Sequence, residues 1–188
     1  MKPNADPGQR ASSDAQDSAL LRQVAAGDRH AFDSLYRVYW PRLTRFLDQL
    51  THRPELVEEL TNDTLLVVWH KAGAFEGKAR VSTWVFAIAY RKALKALKRR
   101  EPFVDAAILE EAAGPDDPER DAMQVQRRGE LRRALATLSP EQRAVVELTY
   151  YHDYAYPEIA QILGCPVDTV KTRMFHARRK LRLLIDAP

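Results

Sequence analysis

Residues 158–181 read EIAQILGCPVDTVKTRMFHARRKL, and this stretch decides the fold of the C-terminal part of the chain. Pro157 begins a short apolar helix that Gly164 ends, and Cys165-Pro166 then leads into a second helix extending to about Leu184. Two helices joined by a turn of roughly three or four residues that includes a glycine are typical of a helix-turn-helix. The sequence therefore predicts this motif near the C-terminus.

The second helix of the motif has an apolar face and a basic face. At about 100° per residue from Val170, four apolar residues fall within about 40° and form a core stripe: Met174, Ala177, Leu181 and Leu184. Phe175 falls on the other face among Lys171, Arg178 and Arg182. A phenylalanine on a helix usually packs against another segment, but these cationic neighbours favour contact with base edges such as a thymine methyl. The candidate DNA-contacting residues are Thr169, Lys171, Thr172, Arg173, Phe175, His176, Arg178 and Arg179.

Charge is unevenly distributed along the 188 residues, although 29 basic and 26 acidic side chains leave a net charge of only +3. Residues 90–100 contain six bases and no acid, and residues 169–182 contain six more bases and no acid. Between them, residues 101–121 hold eight acids and one base, a net charge of −7, together with three prolines. A single basic helix is usually a solvated face, but two that flank a Pro-rich acidic linker favour a polyanionic partner.

Apolar residues recur at helical spacing throughout, with no alternating strand pattern, so the sequence predicts an all-α protein. Asp28 is expected to cap one helix, Pro54 to lie in the first turn of another, and Ser139-Pro140-Glu141-Gln142 to form a capping box. Four parts are expected: a disordered tail at 1–18, a helical module at 19–100, a flexible acidic linker at 101–129, and the helix-turn-helix module at 130–185.

Several classes of protein are excluded or disfavoured by the sequence. The lone Cys165 excludes an internal disulfide, and the five histidines show no spacing typical of a metal site. The segment 73–78, GAFEGK, has too few residues between its glycines for a phosphate-binding loop. No apolar run approaches the roughly 20 residues needed to cross a membrane, and no signal peptide is evident. We therefore expect a cytoplasmic protein that is not an enzyme and needs no cofactor.

Residues 130–182, which include the helix-turn-helix, resemble the promoter −35-binding module of extracytoplasmic-function (group 4) RNA polymerase sigma factors. Residues 20–100 resemble the family's −10-binding and polymerase-docking module. The resemblance departs at Ala155-Tyr156-Pro157, where the family often has a serine starting the first helix of the motif. Pro157 can replace that start.

The resemblance implies that the helix at 55–70 docks on the β′ clamp helices of core RNA polymerase. The residues expected to take part are Glu55, Glu58, Glu59, Asp63, Leu66 and Trp69, with Leu65 as further apolar surface. Acids beside a large aromatic on one helix suit a basic, partly apolar partner. Leu65 and Trp69 equally fit a role in the core of the module.

The resemblance also implies that the loop at 75–82 captures a base flipped from the −10 strand and that the next helix follows the opened DNA. The candidate residues are Phe75, Lys78, Arg80, Ser82, Arg91, Lys92, Lys95, Lys98 and Arg99. Arg91 and Lys95 stand where the family commonly has Asn and Asp, so the extra charge predicts stronger nonspecific binding to phosphates.

The leading hypothesis is a sigma factor that binds core RNA polymerase (β′ clamp helices and β flap), recognises −10 and −35 promoter DNA, and promotes melting. The resemblance further implies an anti-sigma factor as a partner, and the lack of a long apolar run predicts no membrane insertion. The alternative is a stand-alone DNA-binding regulator with a ligand-sensing or dimerising N-terminal domain. The acidic helix bearing Trp69, followed by a cationic loop and helix, favours the first hypothesis, because a sensing domain has no need of them.

Overall fold

The computed structural model describes residues 7–99 and 134–185, and these residues form helices and connecting turns with no strand. A short 3₁₀ turn, Ala72–Ala74, follows the third helix, and residues 134–136 are also helical. The prediction of an all-α fold is confirmed for the described part of the chain. The helices are α1 Pro7–Ala25, α2 Arg29–Thr51, α3 Pro54–Lys71, α4 Val81–Arg99, α5 Pro140–Tyr150, α6 Tyr156–Leu163 and α7 Val167–Ile185.

The N-terminal module consists of α1 to α4 packed around a single apolar core. Asp28 caps α2 as predicted, since its carboxylate accepts hydrogen bonds from the backbone N–H groups of His30 and Ala31 at 2.8 and 3.2 Å. Helix α2 continues through Pro41. Pro54 lies in the first turn of α3, also as predicted. The largest fully buried side chains of this core include Leu35, Tyr39, Leu43, Phe46, Leu65 and Phe86.

For residues 7–18 the structure corrects the prediction of a disordered tail at 1–18, because α1 begins at Pro7; residues 1–6 lie outside the described part of the chain. Asp17 lies inside the predicted tail, yet it is only 5% exposed and accepts a 2.5 Å hydrogen bond from the Tyr39 hydroxyl. Burial raises the pKa of this carboxyl, although the Tyr39 hydrogen bond opposes the rise. The polar composition of the tail suggested disorder, but a polar contact with α2 and the buried Leu21 and Val24 hold α1 in place.

The C-terminal module contains α5, α6 and α7, which confirm the predicted helix-turn-helix and the helix before it. Ser139 and Gln142 form the predicted capping box at the start of α5. Gly164 ends α6 with φ of +64°, a left-handed conformation in which a Cβ is unfavourable. On α7, Val170, Met174 and Ala177 of the predicted core stripe are buried and Leu181 is half-buried, while the side chain of Leu184 lies outside the described residues.

The two modules pack directly against each other in this structure. On the N-terminal side the interface uses α2 and α4, and on the C-terminal side it uses α5 and α6. The ring of His152 lies 4.7 Å from that of Phe86, and Arg45 forms an ion pair of 2.9 Å with Glu147. The acidic linker predicted at 101–129 lies outside the described residues.

Candidate nucleic-acid interface

The exposed face of α7 carries most of the residues predicted to contact −35 DNA. Phe175 is 63% exposed, so its ring is presented to solvent, with the ring of His176 5.5 Å away. Helix α6 positions this face, although Ala155 has no side-chain oxygen to cap it. Instead, the Glu158 carboxylate accepts a 2.9 Å hydrogen bond from the Ala155 backbone N–H. Exposed members of the predicted set are Lys171, Thr172, Phe175, His176, Arg178 and Arg179, while Thr169 is half-buried.

Two side chains on this face, those of Lys171 and Thr172, already have partners within α7. The Lys171 ammonium lies 2.9 Å from the Asp168 carboxylate, and both side chains are mostly exposed. The Thr172 hydroxyl donates to the Asp168 carbonyl at 2.9 Å. An exposed ion pair of this kind is worth little, about 0–1 kcal/mol, so Lys171 remains able to turn towards a phosphate or a base.

Arg173 is the member of the predicted set that lies away from the exposed face. It is half-buried, and its guanidinium donates to the Cys165 sulfur at 3.6 Å. The same group lies near the Tyr90 hydroxyl of α4, whose pKa burial raises to about 12 and the positive charge of Arg173 partly lowers. The structure thus directs Arg173 towards the contact between the modules.

Tyr150, at the end of α5, belongs to the basic face but was missed by the sequence analysis. Its hydroxyl accepts two hydrogen bonds from the Arg178 guanidinium, at 3.1 and 2.8 Å. Tyr150 is 47% exposed, so the pair lies at the protein surface. The tandem Tyr150-Tyr151 before the helix-turn-helix is the sequence signal that points to it.

The loop predicted to capture a −10 base is anchored at one end and charged at the other. Phe75 is half-buried, and its ring centroid lies 5.2 Å from that of Trp84 on α4. Gly77 turns the chain with φ of +70°; it is exposed, and no atom lies within 4 Å of the position that a Cβ would take. Lys78 pairs with Glu76 at the exposed tip. The loop is therefore a fixed turn with backbone open to solvent.

Two residues predicted for −10 DNA face the C-terminal module. The Arg80 guanidinium lies 3.1 Å from the Glu158 carboxylate of α6. Ser82 lies beside the Tyr154 hydroxyl, whose pKa is raised by burial, a rise that the Ser82 contact opposes. Glu158 thus caps its own helix with one oxygen and pairs with the N-terminal module through the other.

Helix α4 presents a row of cations to solvent. Arg91, Lys95, Lys98 and Arg99 are exposed, as a phosphate track requires. Lys92 is different, because its ammonium lies 2.8 Å from the Asp63 carboxylate of α3. This ion pair joins the predicted DNA-binding helix to the predicted docking helix.

The predicted docking helix, α3, presents acids and one apolar side chain to solvent. Glu55, Glu58 and Glu59 are exposed, and Leu66 is 53% exposed. Leu65 is only 1% exposed, so its placement on the apolar docking surface is wrong and the alternative, a core residue, is correct. Trp69 is half-buried with its ring 5.1 Å from that of Phe32, which places it at the edge of the core.

Sequence reasoning also missed two ionisable side chains, Glu147 and His152, that are buried where the two modules meet. Glu147 is 4% exposed, and burial raises its pKa to about 7, although Arg45 opposes the rise. Burial lowers the pKa of His152 to about 3, and the positive charges of Arg42 and Arg45 lower it further. Asp48 also faces Glu147. Glu147 and Arg143 both line one small cavity. Near neutral pH, His152 is therefore an uncharged aromatic group.

The rest of the described structure holds no other obvious site. Within residues 7–99 and 134–185, no cluster of His, Cys, Asp and Glu is arranged to hold a metal ion. None of the helices in those ranges is long and apolar enough to span a bilayer.

Comparison with known proteins identifies a family for each of the two modules. Residues 35–102 match the family model for sigma-70 region 2, and residues 128–181 match that for sigma-70 region 4. The chain is 32% identical to the ECF RNA polymerase sigma factor RpoE of Cereibacter sphaeroides, over 87% of this chain and 92% of that protein. It is 34% identical to SigM of Mycobacterium tuberculosis, over 90% of this chain and 84% of that protein.

Solved structures with a similar fold include two chains that are in complex with other proteins. CnrH, in complex with the cytosolic domain of CnrY, has a TM-score of 0.69 at 24% identity, covering 91% of this chain and 97% of CnrH. RpoE of Bartonella quintana, in complex with the anti-sigma factor NepR, has a TM-score of 0.66 at 25% identity, covering 83% and 97%. The CnrH likeness shows the fold.

The two helical modules and the matches to regions 2 and 4 define a sigma-70-type transcription initiation factor that recognises promoters. Within that class, the chain belongs to the ECF RNA polymerase sigma factors. Members of this family are not enzymes, so catalysis belongs to the polymerase. The match of the N-terminal module to region 2 excludes the alternative of a ligand-sensing regulator.

Proposed function

We propose that the two modules divide promoter recognition between the surfaces described above. The basic face of α7 reads the −35 element in the major groove, with Phe175 and Lys171 contacting base edges and the arginines contacting phosphates. The observation that supports this role is Phe175, a large aromatic 63% exposed at the centre of a cationic helix face. A soluble helix has no packing reason to leave such a ring in water.

The loop at 75–82 and helix α4 bind the opened −10 strand. Phe75 and the open backbone at Gly77 form the base-capturing end, and the exposed cations Arg91, Lys95 and Lys98 follow the phosphates. Arg91 and Lys95 add charge where the family commonly has Asn and Asp, so this chain is expected to bind single-stranded DNA with a steeper salt dependence.

The exposed face of α3 binds core RNA polymerase at its β′ clamp helices, and the C-terminal module contacts the β flap. Leu66 supplies the apolar contact, and Glu58 and Glu59 supply charge for a basic partner. The chain works in the cytoplasm, where the polymerase is. An anti-sigma factor is a further partner. The Bartonella quintana RpoE, which has a similar fold, is in complex with the anti-sigma factor NepR.

Base discrimination tests the assignment of α7. The promoter is first identified by sequencing transcripts after overexpression, and duplexes altered at single −35 positions are then titrated with wild-type protein, Lys171→Ala and Phe175→Ala. A base-reading residue is expected to lose about 1–3 kcal/mol of discrimination at one position. Uniform weakening on every duplex identifies a phosphate contact instead. Discrimination unchanged in both variants contradicts the proposed role of this face.

A further inference from the structure

The basic face of α7 continues onto the end of α5 through one pair of residues, Tyr150 and Arg178. Helix α5 packs against α7, and its last residue is Tyr150. The Arg178 guanidinium donates to the Tyr150 hydroxyl from Nε at 3.1 Å and from Nη2 at 2.8 Å. One edge of the guanidinium is therefore bound to the hydroxyl, and this contact holds the long side chain of Arg178 in a fixed direction.

Both side chains of this pair keep hydrogen-bond donors that the contact between them does not use. The guanidinium gives two N–H groups to Tyr150, and within the described part of the chain its other N–H groups have no acceptor. The Tyr150 hydroxyl accepts these two bonds and donates its own proton to none of the described residues. Tyr150 is 47% exposed and Arg178 is exposed as well, so a ligand that only accepts hydrogen bonds can reach both donors.

The partner that holds Arg178 is neutral, so the arginine keeps its full positive charge. Lys171 on the same face differs, because its ammonium pairs with the Asp168 carboxylate. No carboxylate of the described residues pairs with Arg178. An anion that binds here therefore displaces no negative charge, and little conformational freedom of the arginine is left to lose. A phosphate, which is anionic and only accepts hydrogen bonds, fits this chemistry.

We propose that Tyr150 and Arg178 together bind one DNA phosphate beside the −35 element, with the Tyr150 hydroxyl donating to that phosphate directly. This proposal rests on the assignment of the basic face of α7 to −35 DNA. Phe175 precedes Arg178 by about one helical turn, so the phosphate lies next to the bases that Phe175 contacts. Tyr150 ends α5, where the helix dipole is negative, so the hydroxyl alone does not attract an anion and Arg178 supplies the charge. The hydroxyl adds a DNA contact from outside the helix-turn-helix.

A double-mutant cycle in the full chain separates a direct contact from a role in holding Arg178. Tyr150→Phe, Arg178→Ala and the double variant are titrated by fluorescence anisotropy with the −35 duplex identified by transcript sequencing. Tyr150→Phe is expected to weaken binding about threefold to tenfold, and still by at least about twofold when Arg178 is already alanine. It removes no charge, so the slope of log Kd against log salt is expected to stay at the wild-type value, whereas Arg178→Ala lowers that slope by about one.

Tyr151→Phe is the matched control for the loss of the hydroxyl. Tyr151 is the next residue and is similarly exposed, at 44%, and it contacts Arg45 through its ring. The control is therefore expected to bind the duplex as tightly as the wild-type chain does.

Duplexes with a neutral methylphosphonate at one backbone position at a time locate the phosphate. One position is expected to weaken binding by the wild-type chain and to have little further effect on the double variant. The proposal is overturned if Tyr150→Phe binds as tightly as Tyr151→Phe, if its effect disappears in the Arg178→Ala background, or if no such position exists. Lys171→Ala and Phe175→Ala test the parent assignment on the same duplexes. If both keep −35 discrimination, the role of α7 fails; if they lose it while Tyr150→Phe changes nothing, the phosphate site alone is wrong.

Discussion

Glu147 offers a stability test that the structure allows to be worked through in numbers. Its carboxyl has a pKa raised from 4.5 to about 7, mainly by burial, and its side chain is 5% exposed. At about 1.36 kcal/mol for each pKa unit, ionisation inside the folded protein costs about 3 kcal/mol. Because the folded pKa is raised, the stability that the neutral Glu147 carboxyl contributes is fully present below pH 4.5 and is lost as the pH rises through 7. Glu147→Gln keeps the shape and a hydrogen-bond acceptor for Arg45 but has no charge to bury.

The expected result is a free energy of unfolding that equals wild type near pH 4.5 and exceeds it by about 3 kcal/mol at pH 8. Urea unfolding followed by far-ultraviolet circular dichroism measures both values, and Glu58→Gln on the exposed face of α3 is the control. The control is expected to change stability by less than about 0.5 kcal/mol at either pH. A Glu147→Gln variant that is less stable than wild type at pH 8 refutes the reasoning, because the Arg45 ion pair then outweighs the cost of burial.

His152 gives the same experiment a second readout. Its pKa is lowered to about 3, so its contribution to stability is present above pH 6.5 and is lost as the pH falls towards 3. Between pH 4.5 and 6.5 this trend and that of Glu147 have opposite signs, and wild-type stability is expected to be nearly constant. Glu147→Gln removes one of the two, so its stability is expected to rise by about 1.4 kcal/mol per pH unit over that range.

Local chemistry made much of the fold predictable from the sequence. Asp28, Ser139 and Gly164 each act on their own few neighbours in the chain, and all three end or begin a helix as expected. The helical period likewise separated the buried Val170 from the exposed Phe175 on α7. These signals depend on residues a few positions apart, so the sequence alone contains them.

Contacts between distant segments explain what the sequence did not predict. Glu147 and Arg45 are separated by 102 positions, so no local pattern reveals that Glu147 is buried. Similarly, the polar stretch around Asp17 is held in α1 by a hydrogen bond from Tyr39, which lies 22 positions further along the chain. The sequence predicts that Arg80 binds DNA, and only the packing of the modules shows that its guanidinium forms an ion pair with Glu158.

Three further predictions concern the surfaces and the turn. Leu66→Asp is expected to abolish co-purification with core polymerase while leaving the thermal midpoint unchanged, because the side chain is exposed and supplies the apolar contact on α3; retained co-purification counts against the docking assignment. Tyr150→Phe is expected to weaken binding to a −35 duplex several-fold by freeing Arg178, and an unchanged Kd in fluorescence anisotropy argues against that positioning role. Gly164→Ala is expected to cost about 1–2 kcal/mol in urea unfolding, because φ there is +64°. Gly73→Ala, where φ is not positive, is the matched control and is expected to be nearly neutral.

Promoter-dependent transcription with purified core RNA polymerase tests the central claim most directly. In a run-off assay on the promoter identified from overexpression, the wild-type chain is expected to yield a transcript of defined length that core polymerase alone does not make. Templates with an intact and with an altered −35 element are compared. Phe175→Ala is expected to reduce the transcript only from the template with the intact element, and Leu66→Asp is expected to abolish it on both templates. Absence of a promoter-dependent transcript with the wild-type chain, under conditions where it co-purifies with core polymerase, contradicts the account.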